Sequence, residues 1–132
     1  MTTTTNLKTT EKLFTAFGGH DIDAIIGLLH DDIVIEFYGP DVIPYAGTYR
    51  GKTEARKFFE TVLSSIDINE FTPEEMLAVD DKVIVPGHLN LTTKSTGRVI
   101  DSDFVHVITL QDGKWIRFRD FMNTAVAVQA FA

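Results

Sequence analysis

The chain has 132 residues, 44% of them apolar and none of them cysteine, with a formal net charge of −7 at pH 7. That length suits one domain with a real core, and the missing thiols exclude disulfides, thiol nucleophiles and cysteine-ligated metals. The acidic balance argues against a nucleic-acid or anionic-membrane surface, since both are recognised by clustered Lys and Arg, and no apolar run approaches the roughly 20 residues of a membrane-spanning helix.

The start, "MTTTTNLKTTEK", has no basic segment followed by an apolar run, so no secretory signal is read there and the expected location is cytoplasmic. Residues 1–5 are expected to be a loose terminus of a single domain covering 1–132. Leu7, Leu13, Phe14 and Phe17 then fall at helical spacing until Gly18-Gly19 stops the pattern. Asp21 suits the cap of a second helix carrying Ile22, Ile25, Ile26 and Leu29. The β-branched and aromatic run "IVIEFY", Ile33 to Tyr38, predicts a strand. "GPDVIPYAGTYRG", residues 39–51, predicts a long irregular loop, and Thr53 suits the cap of a third helix. Ala55, Phe58, Phe59, Val62, Leu63 and Ile66 make the buried stripe of that helix.

Strand patterns follow at Phe71–Val79, Lys82–Lys94, Val99–Leu110 and Lys114–Val126. Turns separate them at Asp80-Asp81, Ser95-Thr96-Gly97 and Asp112-Gly113, the last a strong hairpin signal. Three helices with one early strand, then a four-strand meander, predict an α+β fold. A mixed, largely antiparallel sheet of this size is expected to curl into a cone around helices of the N-terminal half.

Gly51-Lys52-Thr53 looks like the end of a phosphate-binding loop. That motif needs four residues between its glycines, and Gly47 leaves only three. A cradle of backbone N–H groups has a fixed size, so nucleotide binding is not expected.

Three segments carry a family resemblance: "HDIDAIIGLLHDDIVIEFYGP", "PYAGTYRGKTEARKFFETV" and "GRVIDSDFVHVITLQDGKWIRFRDF". Together they resemble the nuclear transport factor 2-like superfamily, and within it the SnoaL-like proteins, which include polyketide cyclases and relatives of ketosteroid isomerase. The resemblance implies a curved sheet on three helices around a conical pocket, usually as a homodimer. For activity it implies acid/base isomerase, cyclase, dehydratase or hydrolase chemistry with no metal or organic cofactor. The same fold also serves non-catalytic binders of small hydrophobic molecules and protein-assembly domains. Ketosteroid isomerase itself uses an Asp base, and a Tyr with a protonated Asp as oxyanion donors. Those positions fall here on Phe37, on or near Leu13, and on His106, so steroid isomerase activity is not expected. Whether Phe37 or its neighbour Glu36 faces the pocket is left open.

Side chains alternate faces along a strand. Asp101, Asp103, Arg117 and Arg119 mark the odd positions of the last two strands as outer. Outer valines, Trp115 and Phe121 are then expected to serve a dimer face. His106 and Asp120 become the polar members of two apolar inner faces. A strict two-residue turn at Asp112-Gly113 sets His106 opposite Arg119, whereas one bulged residue in "QDGKW" sets it opposite Asp120, about 5 Å away at Cβ. An Asp beside an imidazole fixes the ring's tautomer and suits proton transfer near pH 7; alternatively the two simply satisfy each other's hydrogen bonds. His106 and Asp120 are therefore the candidate catalytic pair. Phe14, Phe17, Phe37, Tyr45, Tyr49, Phe59, Leu89, Phe104, Phe118 and Met122 are the candidate ligand-binding residues. His88 is expected on the outer face or in the dimer interface, and His20 and His30 in solvent. One inner His with one Asp is short of a three-ligand metal site, so no metal is expected.

Overall fold

The computed structural model describes residues 2–132, and Met1 lies outside the described residues. The expected loose terminus is instead helix from its third residue. Helix α1 runs Thr3–Gly18, with Thr2 Oγ1 accepting a hydrogen bond from the Thr5 amide at 3.1 Å. Threonine is a weak helix former, and long-range anchors hold this segment. Thr9 Oγ1 donates to the Gly113 carbonyl at 2.8 Å, and Trp115 Nε1 donates to Thr10 Oγ1 at 3.2 Å.

Helix α2 is Ile22–Gly27, capped by Asp21 as expected, its Oδ1 accepting from the Ala24 amide at 3.1 Å. Leu29 opens strand β1, Leu29–Phe37, rather than extending α2. His30 is half-buried, its Nδ1 accepting from the Asp32 amide at 3.0 Å, whereas His20 is exposed. The expected long loop contains a short strand, β2, Gly47–Arg50, antiparallel to β1. Helix α3 spans Gly51–Ser65 and starts before Thr53, which is not its cap; Glu54 Oε1 accepts from the Arg50 amide at 2.8 Å instead.

Ile66 begins strand β3, Ile66–Pro73. The single strand expected at Phe71–Val79 is thus the end of β3 and a separate β4, Leu77–Val79, parted by residues 74–76 and both paired with β5, Lys82–Thr93. Strand β6 is Val99–Gln111 and β7 is Lys114–Met122. The last strand was expected to reach Val126, but Thr124–Phe131 forms a fourth helix, α4. Ala127, Ala130 and Phe131, at helical spacing, are the face it buries.

The strand order is β2-β1-β7-β6-β5-β3, with β4 on β5. All pairings are antiparallel except β1 with β7, so the sheet is mixed, curved and unclosed. Among the described residues no helix is long and apolar enough to cross a membrane.

Pairing decides the inner face. One row crosses the sheet through Val85, His106, Asp120 and Phe37. Asp112 and Gly113 have φ of +56° and +73°, the left-handed pair a two-residue hairpin turn requires. The bulge lies just beyond this turn. Thr109 pairs with Arg117 and Leu110 with Trp115, so Ile116 is the extra residue. Before the bulge, odd positions of β7 face inward. Trp115 is therefore fully buried, not part of an outer dimer face. Gly87 has a separate structural reason. A Cβ there would collide with the Phe104 ring and the Thr72 carbonyl oxygen. Its absence lets Phe104 stack on Phe71 at 4.9 Å and 5°.

His88 lies on the outer face, as expected. Its Nδ1 is 2.8 Å from Asp103 Oδ1 and its Nε2 is 2.7 Å from Asp101 Oδ1. Those hydrogen bonds, Asp103 first and then Asp101, raise its pKa to about 9. The folded value exceeds the roughly 6.5 of a free imidazole, so the imidazolium's stabilisation is complete below about 6.5 and is lost as pH rises to about 9. The thermal midpoint is expected to fall across that window more steeply for the wild type than for His88→Gln. Identical profiles by circular dichroism would sink this assignment.

Candidate active site

A cavity of about 70 Å³ lies between α1, α3 and the inner sheet face. His106 and Asp120 both line it. So do Phe14, Phe17, Phe37, Tyr45, Phe59, Leu89, Phe118 and Met122. Two of the ligand-binding candidates do not. Tyr49 sits on β2, where its hydroxyl donates to the Tyr45 carbonyl at 3.0 Å. Phe104 is 2% exposed and lies against the His106 ring, centroids 4.4 Å apart. It supports the imidazole rather than the cavity wall.

Phe58, Val62 and Phe71 line the cavity without having been singled out for it, as does Trp115. Phe58 and Val62 were legible as the buried stripe of α3. Trp115 was not, because the bulge reverses its parity.

Phe14, Phe17 and Phe71 also line a wider outer cleft of about 570 Å³ between the end of α1 and β3. Phe71 meets Phe14 edge-on at 5.5 Å and Phe17 at 5.7 Å. These rings form the partition between an apolar chamber and a cleft with Thr15, His20, Asp67, Asn69 and Glu70 on its walls.

The face left open at the end of β1 is resolved by its parallel pairing with β7. Phe37 points inward and is 3% exposed. Glu36 points outward, where its carboxylate accepts from Arg117 Nε at 2.7 Å and from the Tyr38 hydroxyl at 2.8 Å. The Arg117 bond is the main reason its pKa lies below the ordinary carboxylate value. No carboxylate enters the cavity from β1.

His106 Nε2 is 3.3 Å from Asp120 Oδ1, with side chains only 6% and 17% exposed. The contact lacks hydrogen-bond geometry. Asp120 Oδ1 and His106 Nδ1 are both buried without a hydrogen-bond partner among the described residues. The contrast with His88 is informative, because there the same residue types close to 2.7 and 2.8 Å and satisfy both ring nitrogens. An unsatisfied buried polar group costs about 1–3 kcal/mol. Two of them beside a cavity are poor design for a purely structural pair. Phe104, Phe118, Phe14 and Phe71 surround the imidazole at 4.4–6.0 Å. No group of three or more His, Asp or Glu residues is placed to hold a metal ion among the described residues.

A nuclear transport factor 2-like protein from Burkholderia xenovorans is 26% identical, with 100% of this chain and 99% of that one covered and a TM-score of 0.91. TerC, co-crystallised with polyporic acid, is 25% identical, with 96% and 98% covered and a TM-score of 0.85. A provisional SnoaL-like polyketide cyclase from Jannaschia shares the fold at 19% identity, 97% and 92% coverage and a TM-score of 0.80. No curated protein is similar enough in sequence to count as a relative. The SnoaL-like domain profile matches residues 10–118, which is most of the chain and includes His106 and nearly the whole sheet. With a cone-shaped α+β fold to match, the chain belongs to the SnoaL-like family of the nuclear transport factor 2-like superfamily.

Proposed function

We propose that the protein is an acid/base enzyme of isomerase, cyclase, dehydratase or hydrolase type, acting on a small, largely apolar molecule without a cofactor. One observation carries this reading: two buried, unpartnered polar atoms, His106 Nδ1 and Asp120 Oδ1, in residues lining one aromatic cavity. A substrate C–H or O–H within hydrogen-bond reach of the Asp120 carboxylate exchanges its proton there. The imidazole beside it, with Nε2 at 3.3 Å, takes or returns that proton once ligand binding closes the pair to hydrogen-bond geometry. Both steps need only these side chains. That TerC, a similar structure, is co-crystallised with polyporic acid supports an organic ligand for the cavity.

The chamber of about 70 Å³ is small. A site for one water needs about 10–15 Å³ on this scale, so the space suits a small ring fragment at most. A larger substrate enters by displacing Phe14, Phe17 or Phe71 and extends into the outer cleft. The decisive test is turnover by the wild type beside Asp120→Asn.

A homodimer belongs to the same proposal. The outer sheet face carries exposed Tyr38, Val105 and Phe121 as an apolar band. Asp101 and Asp103 lie to one side of it and Arg117 and Arg119 to the other. A two-fold axis through the band sets the acidic side of one copy on the basic side of its partner. Light scattering is expected to give twice the 14.8 kDa chain mass for the wild type and the single mass for Val105→Asp. A monomeric wild type at micromolar concentration would refute it.

A further inference from the structure

Tyr45 is the cavity's third polar side chain, and the acid/base pair makes no use of it. It lies in the segment between β1 and β2 and is 3% exposed. Its ring is clamped edge-on by Phe37 at 5.0 Å, Phe131 at 5.8 Å and Phe58 at 6.4 Å. Its backbone carbonyl is tied down by the Tyr49 hydroxyl. Its hydroxyl is not among the fully enclosed unpartnered atoms, and the side-chain hydrogen bond at Tyr45 is the one its carbonyl accepts. Phe37, the ring Tyr45 packs on, is the register partner of Asp120. Burial first and the Asp120 charge second raise the phenol's pKa, so it stays protonated and able to donate. No Lys or Arg lines the cavity among the described residues. An anionic ligand would meet the Asp120 carboxylate with only the neighbouring His106 imidazole to offset it.

We propose that the Tyr45 hydroxyl is the specificity-determining donor of this cavity, binding the carbonyl or hydroxyl oxygen of an uncharged ring compound. That hydrogen bond holds the oxygen on the Phe37 side and presents the neighbouring atoms to Asp120. A rigid phenol on a clamped ring suits this task because little side-chain freedom remains to be lost on binding. The inference rests on the ligand reading above, and its test separates the two.

The probes are cyclohex-2-enone, which carries a carbonyl, and toluene, which does not. Binding to the wild type and to Tyr45→Phe is measured by NMR titration. The carbonyl stretch of ¹³C-labelled enone is followed by infrared difference spectroscopy. Tyr45→Phe keeps the ring and its packing, so toluene is expected to bind both proteins equally, which also reports an intact cavity. The enone is expected to bind the variant about tenfold more weakly. Its carbonyl band is expected to lose the red shift that a donated hydrogen bond produces. Equal enone affinity and an unchanged band in the two proteins would overturn the role of Tyr45 and leave the ligand reading standing. Failure of both probes to enter the wild type would overturn the ligand reading, and this inference with it.

Discussion

Asp120→Asn is expected to lower turnover by about 10²- to 10⁴-fold, the usual contribution of a positioned general acid or base. Asparagine keeps the shape of the side chain and its place opposite His106, but it neither takes up nor releases a proton. Ligand affinity is therefore expected to survive, so the loss falls in kcat rather than KM. His106→Ala is expected to cost a similar factor, and the double variant little more than either single one, because the two act as a unit. Stability should hold or rise in Asp120→Asn. The substitution removes a negative charge from a side chain that is only 17% exposed and whose Oδ1 has no hydrogen-bond partner among the described residues, and functional groups of this kind are commonly kept at a cost in stability. Wild-type turnover in Asp120→Asn would remove the catalytic reading. Intact ligand binding with no turnover by the wild type itself would leave a binding protein.

Trp115→Ala is expected to cost about 3–5 kcal/mol of stability, the range for deleting a large aromatic from a core. In a chain of this size that lowers the melting temperature by about 10–20 °C. Trp115 is fully buried, with Phe118 at 5.0 Å and Phe14 edge-on at 5.9 Å. Its indole N–H also ties α1 to the β6–β7 hairpin through Thr10. Deleting it opens a void beside the cavity and releases the helix that carries Phe14 and Phe17. Urea titration checks the effect. A loss under about 1 kcal/mol would place the residue at the surface, where substitutions seldom matter more.

These two residues show what kind of information the chain carries locally. Asp120 was legible because side chains on a strand alternate strictly, and the charges at 101, 103, 117 and 119 identify the wet face. The need for one bulged residue was legible too, because the two parities clash without it. Its position was not. Putting the extra residue inside the turn sends Trp115 outward, whereas putting it at Ile116 sends Trp115 inward. The two arrangements differ by one residue and have the same composition and period. Likewise, residues 124–131 continue an apolar run after a strand, and a short apolar run does not itself distinguish strand from helix. The buried face against the β5–β6 turn decides it, with Thr96 Oγ1 and Arg98 Nη1 donating to carbonyls at the end of α4.

Periodicity and turn chemistry in the chain alone determined the α+β class, the amphipathic stripes of α1 and α3, the Asp112-Gly113 hairpin and the inward side of His106 and Asp120. These are properties of neighbouring residues, set by the geometry of a helix or strand. Only the tertiary structure decided that Phe37 and not Glu36 faces the cavity, that Trp115 is core, and that Tyr49 and Phe104 stay out of the chamber Tyr45 lines. It also decided that His106 and Asp120 stand 3.3 Å apart with unpartnered atoms. Each of those depends on a partner far along the chain, on the parallel β1–β7 pairing or on packing across the sheet. Local pattern carries no record of such partners.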